Sequence, residues 1–153
     1  MKKINWNFLY IVLPILLVAG LGAVFVNLGM SWFDGLNKPS QWIPNWVIPI
    51  VWTIAYLGFA VILIIMQNKY EFSVLTKVLL IVNGVLNILW CLVFFTLNLT
   101  LLGDVIIIAN LIAGFWLVLD ISKYNKIHSY ILAIYPLWLS IATTLNLAMW
   151  ILN

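Results

Sequence analysis

Five apolar stretches, each about 20 residues long, constrain this sequence more than any other feature. A helix of about 20 apolar residues crosses the hydrocarbon core of a bilayer, so each stretch has the length of one membrane span. Hydrophobic residues make up 66% of the 153 residues and charged residues 7%, against roughly 25% charged in soluble domains. The sequence therefore predicts an all-α membrane protein, a five-helix transmembrane bundle that forms a single domain over residues 1–153. The predicted spans are 8–28, 46–67, 75–96, 101–121 and 129–152.

The positions of the lysines predict how the bundle is oriented. All seven cations are lysines, and Lys38 alone falls on the side of the membrane opposite to the N-terminus. Because cytoplasmic loops are enriched in Lys and Arg, the N-terminus is predicted to be cytoplasmic and the C-terminus outside, in the inner membrane of the cell. Scattered lysines do not indicate nucleic acid binding. The six that share the N-terminal side are Lys2, Lys3, Lys69, Lys77, Lys123 and Lys126.

The first connector, residues 29–45, is long and rich in proline and tryptophan. Pro39, Pro44 and Pro49 restrict the backbone of the unfolded chain, so the connector loses less entropy when it becomes ordered. This pattern predicts a stiffened lid over the bundle, which leads directly into the second span. Tryptophans are typical of the membrane–water interface. Four are predicted to lie there: Trp6, Trp42, Trp46 and Trp150.

Charged side chains are nearly absent from the predicted spans. Asp104 and Asp120 lie near the two ends of the fourth span, where a carboxylate can reach the headgroups, and His128 is predicted to be interfacial as well. Without charges inside the membrane, the sequence does not predict a proton relay or an ion-coupled pump. With one histidine and one cysteine in the chain, it does not predict a metal site either.

Neutral amides and aromatic rings remain inside the predicted spans. Buried amides between membrane helices often hold those helices together. Large indole rings beside amides and small residues also form a slot that suits a flat aromatic ligand. Periodicity alone does not decide between a ligand slot and plain core packing, so the two alternatives stand equal. The interior residues are Asn83, Asn87, Asn110, Asn146, Trp52, Trp90, Trp116, Trp138 and Tyr135, and one stripe of the last span contains Tyr135, Trp138, Ala142, Leu145 and Asn146.

Three segments of the sequence resemble the signature blocks of the TspO/MBR family, also called the translocator protein or tryptophan-rich sensory protein family. They are "WFDGLNKPSQWIPNWVIPIVWTIAY", "NILWCLVFF" and "YPLWLSIATTLN". The resemblance covers about residues 30–153. The sequence departs from the family pattern at four points: Trp42 is moved by one residue, one proline of the first segment is lost, Pro49 is one residue early and Pro136 is two residues late.

The resemblance implies a five-helix membrane protein, often dimeric, that binds porphyrins, haem-like tetrapyrroles or drug-like aromatics beneath the first long loop. No cofactor is required, and a porphyrin such as protoporphyrin IX, or haem, is the implied ligand. Trp52, Trp90 and Trp138 are expected to stack on or edge the ring. Phe33 is expected to close the slot from the lid, and Asn87 and Asn146 to hydrogen-bond polar substituents. The expected ligand-binding residues are Phe33, Trp52, Tyr56, Asn87, Trp90, Tyr135, Trp138, Ala142, Leu145 and Asn146.

Two alternative functions stay open at this point. One is light-dependent porphyrin breakdown, in which Trp52 and Trp138 would meet photo-generated oxidants, although the sequence shows no acid–base pair, nucleophile or metal of a conventional enzyme. The other is transport of porphyrin or another amphiphile across the bilayer. Binding, breakdown and transport predict the same slot, so the sequence does not separate them.

Overall fold

The computed structural model describes residues 8–40 and 43–153. Five helical segments in this part of the chain are long and apolar enough to cross a membrane, and no strand is found among the described residues. This confirms the predicted fold class. The helices are α1 (Leu9–Asp34), α2 (Val47–Gln67), α3 (Val74–Cys91), which a π-helical turn (Leu92–Thr96) continues, α4 (Thr100–Ser122), α5 (Lys126–Leu132) and α6 (Ile134–Leu152). The last two form one span. Predictions for Lys2, Lys3, Trp6 and Trp42 lie outside the described residues.

Helix α1 is longer than the sequence predicts, because it continues to Asp34 rather than ending near residue 28. The extra turns pack against the bundle: Gly29 and Phe33 are both buried. The amide of Gly35 then donates to the carbonyl of Trp32 at 3.0 Å and ends the helix. Phe33 therefore lies in the last turn of α1 and not in a loop, and the predicted lid is shortened to residues 35–46.

The π-helical turn widens the end of the third span and brings α1 close to it. The amide of Leu97 donates to the carbonyl of Leu92 at 2.9 Å, one residue farther than in an α-helix. A side chain at Gly29 would overlap the Phe95 carbonyl, so only glycine permits this approach. The hydroxyl of Thr96 also donates to the Phe25 carbonyl at 2.9 Å. The C-terminal part of α1 is thus held directly against the π-helical turn.

Helix α4 packs between α3 and α6. A Cβ atom on Gly114 would lie 3.3 Å from a Tyr135 ring carbon and 3.4 Å from Oδ1 of Asn83, so this glycine allows side chains of both neighbouring helices to approach its backbone. The buried face of α4 includes Gly103, Ile107, Asn110, Gly114, Leu117 and Ile121. The bundle core therefore runs along this helix.

The prediction that Trp116 lies inside the bundle is wrong. Its side chain is 54% exposed, because it belongs to the opposite face of α4 with Ile112, Phe115 and Leu119. These four residues follow the i, i+3, i+4, i+7 spacing of one helix face, which is the membrane-facing one. Trp46 and Trp150 are exposed, as their predicted interfacial positions require.

Asp104 and Asp120 were predicted to reach out to the headgroups, but both side chains turn into the bundle instead. Asp104 is 1% exposed, and neither of its carboxylate oxygens has a hydrogen-bond partner among the described residues. Asp120 is 3% exposed and accepts a 2.6 Å hydrogen bond from the Thr76 hydroxyl. Lys123 also contacts Asp120 at 2.7 Å. Interior packing of α4 turns both side chains inward.

A polar cluster around Asp120 joins the helix ends on the side where Lys69, Lys77, Lys123 and Lys126 lie. The hydroxyl of Tyr124 accepts a 2.9 Å hydrogen bond from the Ser73 amide and lies 2.9 Å from the Thr76 hydroxyl. The hydrogen bond with Ser73, which has the largest effect, and the one with Thr76 lower the pKa of the Tyr124 hydroxyl below its usual range. The cluster thereby fixes the connector between α2 and α3 to the end of α4.

The last span is interrupted at Ala133, between α5 and α6. Pro136 has no amide hydrogen, so the carbonyl of Leu132 cannot receive its usual helical hydrogen bond. The interruption lies within one turn of this proline, where helix breaks commonly occur. It faces α2, which packs against both parts of the span.

Candidate functional site

Three predicted site residues from three different helices meet in the core. The indole of Trp52 on α2 lies 6.0 Å from the indole of Trp90 on α3, centroid to centroid, and 6.1 Å from the ring of Tyr135 on α6. Trp52 also stacks on Tyr56, one turn along α2, at 5.6 Å. We call these four residues the aromatic cluster, and each of the other three lies within the 4.5–7 Å range of favourable ring pairs from Trp52.

A second group of rings lies next to the aromatic cluster, on the π-helical turn and the end of α1. Phe95 is 5.8 Å from Trp90 and 5.1 Å from Phe33, and Phe94 is 5.7 Å from Trp32. Phe33 packs on Phe95 from the last turn of α1 and not from the lid. Phe94 and Phe95 were not predicted as site residues, and the adjacent Phe-Phe pair in the second family-like segment, "NILWCLVFF", was the signal that pointed to them.

The residues at the start of the lid close over these rings. The Lys38 ammonium group lies 4.7 Å from the centroid of the Phe33 ring and 3.5 Å from a carboxylate oxygen of Asp34. A cation over an aromatic face is attracted by the ring electrons. Pro39, the next residue, is buried. The short loop therefore packs on the end of α1 that carries Phe33.

Two tyrosine hydroxyls bind buried amides inside the bundle. Tyr56 donates to Oδ1 of Asn87 at 3.1 Å, which joins α2 to α3. Tyr135 donates to Oδ1 of Asn110 at 3.1 Å, which joins α6 to α4. Asn110 was identified from the sequence only as an intramembrane amide. Part of the amide set thus holds helices together, as the packing alternative predicts.

Several buried nitrogen atoms of this region are hydrogen-bond donors without an acceptor among the described residues. Five buried N–H groups have no hydrogen-bond partner among the described residues, and the same is true of three buried acceptor atoms, Oδ1 of Asn83 and the two carboxylate oxygens of Asp104. The five N–H groups belong to Asn87 (Nδ2), Asn110 (Nδ2), Asn146 (Nδ2), Trp90 (Nε1) and Trp138 (Nε1). Buried polar groups are normally paired, so this set marks the interior as a place where acceptor atoms would be stabilised.

The predicted stripe on the last span is buried along its whole length. Trp138, Ala142, Leu145 and Asn146 follow Tyr135 along α6, and each is less than 10% exposed. They lie beyond the aromatic cluster, toward the end of α6 that contacts the lid.

Among the described residues, no group of three or more His, Cys, Asp or Glu side chains could hold a metal ion.

The aromatic cluster is closed in this conformation, because its rings are in contact with one another. A cleft of about 50 Å³ lies beside it, between α2 and the α5–α6 break. Small-molecule sites usually have volumes of about 300–1,000 Å³. A tetrapyrrole would therefore have to separate the rings that the sequence predicts to stack on it.

Known proteins with similar sequences identify the family of this chain. The sequence model of the TspO/MBR family matches residues 10–151. The chain is 31% identical to the tryptophan-rich protein TspO of Archaeoglobus fulgidus over 93% of this chain and 94% of that protein. It is 32% identical to the TspO of Chlorobaculum tepidum over 90% of each chain, and 27% identical to protein CrtK of Rhodobacter capsulatus over 80% of this chain and 79% of CrtK. The chain therefore belongs to the TspO/MBR family.

Proposed function

We propose that this protein is an integral membrane tetrapyrrole-binding protein, a translocator or sensor that holds porphyrin in its aromatic cluster. The observation that carries the proposal is the convergence of Trp52, Trp90 and Tyr135 from three helices. Rings that already contact one another in tilted and edge-on geometries can exchange those contacts for contacts with the face and edge of a macrocycle. Family membership supports the same function.

The unpartnered N–H groups support a ligand with acceptor groups. Asn146 and Trp138 on α6 and Asn87 on α3 have buried N–H groups that a carboxylate or carbonyl oxygen would satisfy. Porphyrins such as protoporphyrin IX have carboxylate side chains, and drug-like aromatics often have a carbonyl. Ala142, between Trp138 and Asn146 along α6, leaves room for the plane of the ring. The site thus combines an apolar slot with a few polar contacts, as small-molecule sites generally do.

Free porphyrin suits this site better than haem. The chain contains a single histidine, His128, which lies on α5 at the lysine-rich end of the bundle and not in the aromatic cluster. Axial ligation of haem iron usually requires histidine, cysteine, methionine or tyrosine. The two tyrosines of the aromatic cluster, Tyr56 and Tyr135, already donate their hydroxyl hydrogens to Asn87 and Asn110. Cys91 is buried against Gly22 of α1, with its Sγ 3.5 Å from where a Cβ would lie on that glycine. It therefore faces away from the slot.

Fluorescence quenching tests the proposal. Protoporphyrin IX titrated into the protein in nanodiscs is expected to quench tryptophan emission saturably. Trp52→Phe and Trp138→Phe should weaken the binding, whereas Trp116→Phe is the matched control, because Trp116 faces the membrane. Equal affinities for all three variants and wild type would overturn the site, and the absence of saturable quenching in wild type would overturn the function.

We also propose that the protein lies in the inner membrane with its N-terminus in the cytoplasm. The positive-inside rule supports this orientation, since Lys69, Lys77, Lys123 and Lys126 all belong to connectors or helix ends on the N-terminal side. Cysteine labelling with a membrane-impermeant reagent tests it. A cysteine introduced at Lys126 should be protected in intact cells, and one introduced at Ser40 should react.

A further inference from the structure

A small apolar cleft opens from the outer surface of the bundle toward the aromatic cluster. Its volume is about 50 Å³. Its outer rim is formed by side chains that face the membrane: Ile54 is 52% exposed, Ile131 42% and Ile134 46%. One wall belongs to α2 and the other to the α5–α6 span. The lining residues are Ile54, Ala55, Gly58, Phe59, Ile131, Leu132, Ile134 and Tyr135.

The inner end of the cleft is the aromatic cluster itself. Tyr135 lines the cleft and also contacts Trp52 at 6.1 Å. Phe59, another lining residue, meets Tyr135 edge-on at 5.2 Å. A group that moved inward through the cleft would therefore reach Trp52 after displacing one ring, Tyr135.

Two backbone features make this the place where the wall can open. Gly58 has no side chain, and nothing lies within 4 Å of the position that its Cβ would occupy. On the other wall, the helix is interrupted at Ala133, and Pro136 removes a hydrogen bond at the break. Interrupted helices move more easily than continuous ones, since fewer backbone bonds resist the motion.

We infer that an apolar aromatic ligand dissolved in the bilayer reaches the aromatic cluster sideways, through the cleft between α2 and the α5–α6 break. This inference rests on the proposed function. The occupant of the cleft is the ligand in transit, because the lining is apolar and leads inward to the cluster. The lid then closes one end of the site, and the membrane supplies the ligand.

Filling the cleft tests this route. Gly58→Leu adds a side chain where the structure has open space, and a leucine in a helix is favoured over glycine. Gly20→Leu is the matched control, since nothing lies within 4 Å of that Cβ position either and Gly20 lies on α1, far from the cleft in sequence. Ile134→Phe narrows the same opening from the other wall and serves as a second variant.

The experiment measures release of protoporphyrin IX from protein in nanodiscs after mixing with an excess of empty nanodiscs, by recovery of tryptophan fluorescence. Gly58→Leu and Ile134→Phe are expected to slow release about tenfold and to leave the equilibrium affinity unchanged, because they block the route and not the site. Gly20→Leu should behave as wild type.

Release rates in Gly58→Leu and Ile134→Phe that match those in Gly20→Leu would overturn the inference. This failure is distinct from failure of the proposed function. If wild type binds porphyrin saturably and release is unaffected by the cleft variants, only the lateral route is wrong. If wild type shows no saturable quenching at equilibrium, the proposed function itself is wrong.

Discussion

Asn37 and Asn153 exchange two hydrogen bonds although they lie 116 positions apart. The Asn37 amide donates to Oδ1 of Asn153 at 2.8 Å, and Nδ2 of Asn153 donates back to the Asn37 carbonyl at 3.0 Å. Nδ2 of Asn153 also donates to the Met149 carbonyl at 2.7 Å, which holds the side chain in place. One carboxamide thus fastens the lid to the end of α6.

Asn153→Ala is expected to release the lid without unfolding the bundle. Both residues are exposed, so each lost hydrogen bond should lower the free energy of unfolding by only about 1 kcal/mol. Hydrogen exchange at the Asn37 amide should become faster, while exchange in α3 and α4 should not change. Asn27→Ala, at an exposed asparagine of α1, is the control.

Lateral access predicts a further result for this variant. Because the ligand passes between α2 and α5–α6, releasing the lid should leave the rate of porphyrin release unchanged. Faster release from Asn153→Ala would indicate that the ligand leaves beneath the lid. Unchanged exchange at Asn37 would contradict the role of the carboxamide as a fastening.

Thr76→Val should destabilise the bundle from its lysine-rich end. The hydroxyl of Thr76 donates the 2.6 Å hydrogen bond to Asp120, and valine has nearly the same shape without a donor. A lost hydrogen bond to a buried charged group lowers the free energy of unfolding by about 1.5–3 kcal/mol. Thermal unfolding in detergent measures the change.

Thr144→Val is the matched control for that measurement. Thr144 is exposed on α6 and binds only its own helix, through the Ile141 carbonyl at 2.7 Å. Its substitution should change the free energy of unfolding by less than about 0.5 kcal/mol. Equal effects of the two substitutions would mean that the Thr76–Asp120 contact contributes nothing specific.

Gly29→Ala should be far more harmful than Gly20→Ala, although both glycines lie on α1. A methyl group at Gly29 would overlap the Phe95 carbonyl, whereas the same group at Gly20 meets open space. Overpacking of this kind costs about 1–3 kcal/mol, while alanine at an unhindered helix position is favoured by up to about 1 kcal/mol. The midpoint temperature of thermal unfolding should therefore fall for Gly29→Ala and rise for Gly20→Ala. A similar shift for both would contradict close docking of α1 on the π-helical turn.

Local sequence features predicted the spans well and the contacts across the bundle less well. Apolar length gave α2 to within one residue, because a membrane fixes how long an apolar helix must be. It placed the end of α1 too early, because packing of Phe33 on Phe95 extends the helix. The face of α4 to which Trp116 belongs was also misjudged, since residues 111–119 are all apolar or small and give no contrast between faces.

The candidate site shows the same contrast between local features, which were predicted well, and contacts across the bundle, which were predicted less well. Of the three indoles expected to converge, Trp52 and Trp90 do meet, together with Tyr135. The third, Trp138, lies farther along α6, beyond the aromatic cluster. The π-helical turn was not predicted, because one additional residue in a helix leaves no pattern in an apolar run. The Asn37–Asn153 contact is equally invisible, since it joins distant parts of the chain through two exposed amides.

The last prediction concerns which part of a porphyrin the buried donors bind. Nδ2 of Asn146 has no hydrogen-bond partner among the described residues, so a ligand carboxylate is expected to accept its hydrogen bond. Asn146→Ala should weaken binding of protoporphyrin IX about tenfold or more, since a hydrogen bond to a charged group contributes about 1.5–3 kcal/mol. Binding of an octaalkyl porphyrin, which has no carboxylate, should be unchanged.

This comparison separates recognition of the carboxylate from a general loosening of the site. A looser site would bind both porphyrins more weakly in Asn146→Ala, whereas loss of one hydrogen bond affects only the ligand that makes it. Asn27→Ala, remote from the slot, should affect neither. Equal weakening for both porphyrins would show that Asn146 acts only in packing α6, and the acceptor groups of the ligand would then have to bind Asn87 or Trp138 instead.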